Sequence, residues 1–250
     1  MPIEPHRRSF LGITFHESTC EQVAEELVAL SARDSFSYVV TPNVDHVLLL
    51  NPKRAEDSTA RFRDAYSAAA MRLCDSRILQ KLARFRGVRL DVVPGSDLTA
   101  HLFASGAFKG RKIAIVGGDE TMVADLVDRF PGSTLVQHRP PMGVLQNAAA
   151  IEEIVAFVAH ERADFILFAI GAPQSEIVAL ACRQAGTCRG VGLCIGASIE
   201  FIIGRKRRAP AWMQRLSLEW AYRLLSEPRR LWRRYLLTGP RIFLLAVRGG

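Results

Sequence analysis

Residues 112–138 read KIAIVGGDETMVADLVDRFPGSTLVQH, and their pattern indicates one strand–helix–strand unit. Two short apolar runs, 112–116 and 134–137, have the length and composition of buried strands. Between them, residues 120–130 carry apolar side chains at helical spacing. Because a connecting helix places consecutive strands side by side and parallel, this unit predicts an α/β protein.

The same alternation continues on both sides of this unit. Further strand-like runs lie at residues 38–41, 165–170 and 190–195. Further helix-like stretches lie at residues 20–32, 44–50, 53–70, 76–86, 146–162 and 174–185. We therefore predict a Rossmann-like body over residues 1–204, with a mostly parallel sheet and helices on both faces. The chain has 250 residues and is 49% apolar, which is enough for such a core.

The C-terminal tail, residues 205–250, differs from this body in charge and in pattern. It holds 12 of the 33 Lys and Arg residues and two of the 25 Asp and Glu residues, so its net charge is +10 and that of the body is −2. Trp212, Leu216, Trp220 and Leu224 recur every four residues beside arginines, which predicts one amphipathic helix with a cationic flank. Pro228 predicts the start of a second helix. We predict a basic helical appendage that associates with a membrane.

Composition disfavours several classes of protein. The five cysteines are odd in number and include no C-x-x-C pair, which argues against a disulfide framework or a zinc site. Residues 1–18 lack the apolar core of a signal peptide, and no run of about 18 uncharged apolar residues predicts a spanning helix. We therefore expect a cytoplasmic protein, and any membrane contact is expected to be peripheral.

Polar residues follow the first predicted strands, at the edge where parallel sheets bind ligands. Thr41 and Asn43 offer a hydroxyl and an amide to a sugar or nucleotide, or they form a turn and a helix cap. Asp75 follows residues 71–74, MRLC, and precedes a predicted helix. Its carboxylate suits either a general base or a helix N-cap. Residue types alone leave both alternatives open at each position.

Glycine-containing turns after the later strands are further candidates. Gly117 and Gly118 let backbone N–H groups approach a phosphate at a helix N-terminus, although a tight turn needs such glycines anyway. The turn after residues 165–170 supplies a second set of candidate ligand groups: Gly171, Pro173, Gln174, Ser175 and Glu176. Of these, Glu176 suits the helix dipole equally well. A third such turn, at residues 196–201, carries Glu200.

No pattern typical of a metal or dinucleotide site is present in the sequence. The six histidines are scattered, and neither D-x-D nor H-E-x-x-H occurs. The dinucleotide motif G-x-G-x-x-G and the P-loop motif are also missing. We expect no metal and no cofactor, so arginines are the groups left to neutralise a diphosphate.

The tail contains the most specific motifs of the chain. RAPAW at 208–212, LEWAYRL at 218–224, EPRR at 227–230 and RY at 234–235 resemble the signature of the WecG/TagA/CpsF glycosyltransferases. Thr41-x-Asn43, Gly95-x-Asp97-Leu98, Gly117-Gly118 and the turn at 171–176 also resemble elements of that family. The resemblance extends from about residue 41 to residue 235.

The resemblance implies an inverting, metal-independent transfer of a sugar from a UDP-sugar to a polyprenyl-diphosphate-linked acceptor. It implies that this reaction serves cell-surface polysaccharide synthesis at the inner face of the cell membrane. Asp75 then matches the catalytic base, Thr41 and Asn43 match active-site polar residues, and residues 174–176 lie in the turn that binds the nucleotide-sugar. The chain departs from the family pattern at four positions that bear on the donor sugar: Ser76, Gln174, Ser175 and Glu200.

The cationic tail has several expected partners. If it folds over the site, Arg208, Arg215 and Arg223 are expected to stabilise the leaving diphosphate. An anionic membrane surface is a second partner, and a second copy of the chain is a third candidate. The alternative to membrane docking by the tail is a helical pair packed on the body with a solvated flank. The alternatives to a glycosyltransferase are a non-catalytic nucleotide-sugar-binding protein, a nucleic-acid-binding protein and an oxidoreductase. No nucleic-acid-binding motif accompanies the charge, so we expect no nucleic acid partner.

Overall fold

The structure is a computed structural model that describes residues 7–53 and 57–248. Its centre is a six-stranded sheet in which all neighbouring strands are parallel, preceded by a two-stranded antiparallel hairpin. In chain order the strands are β1 Arg7–Phe10, β2 Ile13–His16, β3 Ser37–Val40, β4 Met71–Arg72, β5 Lys112–Gly117, β6 Thr134–His138, β7 Phe165–Ala169 and β8 Val191–Cys194. The sheet order is β4-β3-β8-β7-β5-β6, which confirms the predicted Rossmann-like α/β architecture.

Helices follow nearly every strand of the sheet. Those of the body are α1 Cys20–Ser31, α2 Val44–Leu50, α3 Asp57–Ala68, α4 Arg77–Phe85, α5 Gly95–Ala104, α6 Met122–Arg129, α7 Ala148–Glu161, α8 Gln174–Ala185 and α9 Ser198–Ile202. Those of the tail are α10 Ala211–Arg215, α11 Glu219–Ser226, α12 Pro228–Trp232 and α13 Arg241–Arg248, with a π-helical turn over Arg233–Thr238.

Alternating side chains of the strands build one apolar core on each face of the sheet. Tyr38 and Phe168 belong to the cluster that also holds residues of α2, α3, α4, α7 and α8. Val39 and Leu167 belong to the opposite cluster, together with residues of α1, α5, α6 and α9. The expected helices on both faces are therefore confirmed, and the polar residues at the strand ends lie between the two cores.

Several elements have no counterpart in the sequence prediction, among them the hairpin β1–β2, β4, α5, α9 and α13. The hairpin β1–β2 has strands of only four residues, and three of the four residues of β1 are exposed, so its apolar alternation is weak. The guanidinium of Arg72 holds it by donating to the carbonyl of Thr14 at 2.8 Å. Helix α5 contains Gly95 and Thr99, which have low helix propensity, and it is stabilised by packing of its buried leucines.

The tail does not form the single long amphipathic helix that its spacing predicted. The chain leaves the helix between α10 and α11, where Ser217 has a φ of 64° in the left-handed region. The predicted start of a new helix at Pro228 is confirmed. Helix α13 then returns to the body, where Ile242 and Ala246 are buried in the same apolar cluster as residues of α2 and α4.

Parts of some predictions lie outside the described residues. These are the first six residues of the predicted body, the last two of the tail, and residues 54–56 within the helix predicted over 53–70. The division of the chain at residue 204 into a body and an appendage stays a prediction.

Candidate functional site

A cavity of about 1000 Å³ lies at the carboxyl ends of β3, β4, β7 and β8. Its walls come from two distant parts of the chain, because residues that follow these strands face residues of the tail across it. Ligands of parallel α/β proteins bind outside this edge of the sheet, so the cavity is the candidate active site.

Asp75 lies in this cavity just beyond β4. Its backbone N–H donates to the carbonyl of Pro42 at 2.9 Å, which fixes it beside the end of β3. The N-cap of α4 is Ser76, whose hydroxyl accepts from the N–H of Leu79 at 3.2 Å. The alternative that Asp75 caps this helix is therefore wrong, and its carboxylate is left to face the cavity.

The surroundings of Asp75 favour its protonated form near neutral pH. The pKa of Asp75 is raised to about 7, mainly by burial, and the carboxylates of Glu219 and Asp97 contribute to this rise. The guanidinium groups of Arg223 and Arg208 act in the opposite direction. A carboxyl group with a pKa near the working pH can accept a proton during a reaction and release it afterwards.

Thr41 and Asn43 also line the cavity, and each already makes structural hydrogen bonds. The buried hydroxyl of Thr41 donates to the carbonyl of Cys194 at 3.3 Å, which links the ends of β3 and β8. The Oδ1 atom of Asn43 caps α2 by accepting from the N–H of Asp45 at 3.0 Å. The cap predicted from the sequence is therefore present, and the side-chain amide N–H groups of Asn43 stay available as donors.

The turn between β7 and α8 contributes part of its predicted set. Gly171, Ser175 and Glu176 line the cavity, whereas Pro173 and Gln174 are not among its lining residues. Glu176 is almost fully buried, and its Oε2 atom has no hydrogen-bond partner among the described residues. Burial raises the pKa of Glu176 to about 7.

Three other predicted residues lie away from the cavity lining. A Cβ atom at Gly117 would lie 2.8 Å from the side chain of Ile170, and one at Gly118 would overlap Met122, so packing alone accounts for both glycines. Glu200 forms an ion pair with Lys206 at 2.6 Å. Their roles in substrate binding stay predictions, as do those of Pro173 and Gln174.

The tail supplies most of the positive charge of the cavity. Arg208 pairs with Asp97, and its Nε atom is buried without a partner among the described residues. The guanidinium of Arg223 lies 5.5 Å from the ring centre of Phe201. Arg215, the third predicted arginine, is exposed at the end of α10 and does not line the cavity.

Several lining residues were not singled out as site residues by the sequence analysis. They are Asp97, Glu219, Arg230 and Arg234, and Arg234 forms an ion pair with Asp45 at the first turn of α2. All four belong to motifs that resemble the glycosyltransferase signature, which is the signal that could have identified them. The motif that contains Glu219 does not show its proximity to Asp75, because only the folding of the tail over the body brings the two together.

The described ranges, 7–53 and 57–248, contain neither a metal-binding cluster nor a membrane-spanning helix. No group of three or more His, Cys, Asp and Glu side chains there is arranged to hold a metal ion. No helix in these ranges is both long enough and apolar enough to cross a membrane.

Comparison with known protein families gives one match that spans nearly the whole chain. The model of the glycosyl transferase WecG/TagA/CpsF family matches residues 8–249. The matched region includes both walls of the cavity, the strand ends of the body and the helices of the tail.

Proposed function

The chain belongs to the glycosyl transferase WecG/TagA/CpsF family, and from this premise we propose that it moves a sugar from a UDP-sugar to a polyprenyl-diphosphate-linked acceptor. Membership of the family makes it a glycosyltransferase of cell-surface polysaccharide biosynthesis, with a sugar donor and an acceptor as substrates. Beyond family membership, we propose that UDP carries the donor sugar and polyprenyl diphosphate carries the acceptor. We also propose that the transfer inverts the configuration of the anomeric carbon and requires no metal.

One observation carries the proposed mechanism: Asp75 faces a cavity at the carboxyl edge of the sheet, and burial raises its pKa to about 7. In its ionised form, the carboxylate takes the proton of an acceptor hydroxyl while that oxygen attacks the anomeric carbon. The bond from this carbon to the diphosphate breaks, and UDP leaves with the bonding electron pair from the opposite face. A single displacement of this kind inverts the anomeric configuration.

The leaving diphosphate needs positive charge on the other side of the donor sugar. We assign this role to Arg208 and Arg223, which line the cavity, and the Nε–H of Arg208, which has no partner among the described residues, is a buried donor for a phosphate oxygen. Donors that are already in place when charge develops stabilise the transition state without further rearrangement. Thr41 and the amide of Asn43 are proposed to position the reacting sugar at the edge of the same cavity.

A donor panel tests this proposal. The purified protein is incubated with radiolabelled UDP-hexoses and extracted lipid-linked acceptors, with and without a metal chelator. We expect transfer from at least one UDP-sugar, unchanged by the chelator, and NMR of the product should show an anomeric configuration opposite to that of the donor. Retention of configuration, or transfer that stops when metal is removed, would refute the corresponding part of the proposal.

We also propose that the tail docks the protein on the inner face of the cell membrane. Trp212 on α10 and Leu216 at its C-cap are 59% and 58% exposed, and Trp232 on α12 is 41% exposed. Exposed arginines lie on the same segments. Each Lys or Arg near an anionic leaflet contributes about 1 kcal/mol, and inserted aromatic side chains add apolar burial.

Vesicle sedimentation tests the membrane proposal with matched surface variants. The double variant Trp212→Ser, Leu216→Ser is compared with Met142→Ser, which changes a 99% exposed side chain on the body. We expect the double variant to lose binding to vesicles that contain phosphatidylglycerol, and the control to retain it. Binding of wild type should fall at high salt and be weak on phosphatidylcholine alone. Equal binding of both variants would exclude α10 as a docking element.

A further inference from the structure

The cavity extends well beyond the catalytic end, along the whole length of α2. Asn43, which caps the start of α2, lies next to Asp75 through the hydrogen bond between the Asp75 N–H and the Pro42 carbonyl. At the other end of α2, the carbonyl of Asn51 accepts from Arg241 at 3.3 Å. Because α2 has seven residues, the two ends are separated by roughly 10 Å.

Along α2 the cavity lining includes a set of apolar side chains. Leu48 and Leu49 of α2 line this part of the cavity on one side, and Leu231, Leu236 and Phe243 of the tail line it on the other. Leu236 and Phe243 are 53% and 55% exposed, so this part opens to the surface. We refer to these five residues as the apolar groove. An apolar groove that is continuous with an active site fits the hydrocarbon part of a substrate.

Two arginines lie between the catalytic end and the apolar groove. Arg230 and Arg234 are one helical turn apart, both line the cavity, and the pairing of Arg234 with Asp45 places them at the first turn of α2. The Nε atom of Arg234 is buried and has no partner in the described part of the chain. Arg230 pairs with Glu227 in an exposed i,i+3 contact, which a phosphate can replace at little cost.

We propose that the apolar groove holds the hydrocarbon chain of the acceptor, with its diphosphate at Arg230 and Arg234 and its sugar hydroxyl at Asp75. This inference rests on the proposed function. The order of groups in the cavity, carboxylate, arginines and then apolar side chains, matches the order sugar, diphosphate and hydrocarbon in such an amphiphile. The donor and the acceptor then approach Asp75 from different sides, because Arg208 and Arg223 serve the UDP moiety.

Direct binding of polyprenyl diphosphates tests the groove without requiring turnover. A short and a long polyprenyl diphosphate are titrated against the full-length protein in detergent, and intrinsic tryptophan fluorescence gives the Kd, since Trp220 lines the cavity. We expect the long chain to bind more tightly, and inorganic diphosphate to bind weakly. Phe243→Ser and Leu236→Ser should each weaken binding of the long chain roughly tenfold, because the burial of one large apolar side chain is lost.

The tail offers a matched control for each of these variants. Leu244 and Leu237 are 59% and 63% exposed neighbours that do not line the cavity, so their replacement by Ser should change the Kd less than about twofold. Arg230→Gln should weaken binding of both chain lengths, whereas Arg229→Gln, which alters an exposed neighbour outside the cavity, should not.

Three outcomes would overturn the inference. They are equal affinity for both chain lengths, equal effects of Phe243→Ser and Leu244→Ser, and equal effects of Arg230→Gln and Arg229→Gln. The second outcome would show a general apolar anchor instead of a groove. Failure of the proposed function would look different, because polyprenyl diphosphates would still bind in this pattern while no sugar is transferred from any UDP-sugar.

Discussion

The protonation of Asp75 is controlled by residues from both ends of the chain. Burial of its carboxyl group is the main cause of the raised pKa, and Glu219 of α11 is the next largest contributor. Arg223 of the same helix opposes this effect. Charged residues of the tail therefore influence the fraction of Asp75 that is ionised and able to act as a base.

The activity should follow the ionisation of Asp75 with pH. We expect kcat/KM to rise as the pH passes through about 7 and to level off above it, because only the ionised carboxylate accepts a proton. Glu219→Gln removes a neighbouring negative charge, so the midpoint should move to lower pH. The midpoints are measured from kcat/KM between pH 5 and pH 9. A midpoint that stays in place in Glu219→Gln would show that Glu219 does not act on Asp75.

Glu176 is a second carboxyl group whose burial has a thermodynamic consequence. Its folded-state pKa of about 7 lies above the ordinary value of 4.5, so the native state holds its proton over a range in which the unfolded state has lost it. The contribution of Glu176 to the free energy of unfolding is fully present below about pH 4.5 and is lost as the pH rises toward 7. The expected loss is about 1.4 kcal/mol for each pH unit in this window.

Glu176→Gln should remove this dependence, because the amide has a similar shape and does not ionise. We expect the unfolding free energy of the variant relative to wild type to increase between pH 4.5 and pH 7, as measured by urea denaturation. Taking the difference between the two proteins cancels the contributions of His16 and His46, whose pKa values are lowered by burial. A difference that is constant over this range would mean that Glu176 is ionised in the native state.

At the scale of elements, local sequence pattern predicts the sheet well. Five of the six strands of the sheet are predicted within two residues at each end, because apolar β-branched runs bounded by glycine or polar residues are a local signal. β4 has only two residues, and the hairpin is short and exposed, so neither gives a clear alternation. In the tail, the regular spacing of Trp and Leu could not show the break at Ser217, which depends on contacts with the body.

The break between α10 and α11 can be tested by backbone substitution. Ser217 adopts a left-handed conformation that costs a non-glycine residue about 1 kcal/mol, and its Oγ atom is buried without a partner among the described residues. Ser217→Gly should therefore be more stable than Ser217→Ala by about 1 kcal/mol in urea denaturation. Equal stabilities would indicate that the two helices join in a different conformation.

At the scale of the whole molecule, several ion pairs and one helix with buried apolar residues hold the tail against the body. Arg208 pairs with Asp97 of α5, and Arg234 pairs with Asp45 of α2. Ile242 of α13 is buried against α2 and α4. The sequence could predict the charge and helicity of the tail. Its folding over the site could be stated only as a condition, and which carboxylates of the body it meets depends on long-range contacts that the sequence does not show.

Loosening α13 should open the cavity before the body unfolds. Ile242→Ala removes buried apolar contacts, which typically costs 2–5 kcal/mol, whereas Leu244→Ala alters an exposed residue of the same helix. In limited proteolysis we expect cleavage within residues 205–250 to accelerate in Ile242→Ala and to stay at the wild-type rate in Leu244→Ala. If both variants are cleaved at the wild-type rate, α13 does not hold the tail closed.

The most direct test of the central claim compares two Asp→Asn variants in one transfer assay. Asp75→Asn should lower kcat by roughly 10²–10⁴-fold and leave the affinity for UDP unchanged, because the amide cannot accept the proton. Asp91→Asn, which alters an exposed carboxylate outside the cavity, should retain the wild-type rate. Asp75→Asn with a rate close to wild type would contradict the assignment of Asp75 as the catalytic base.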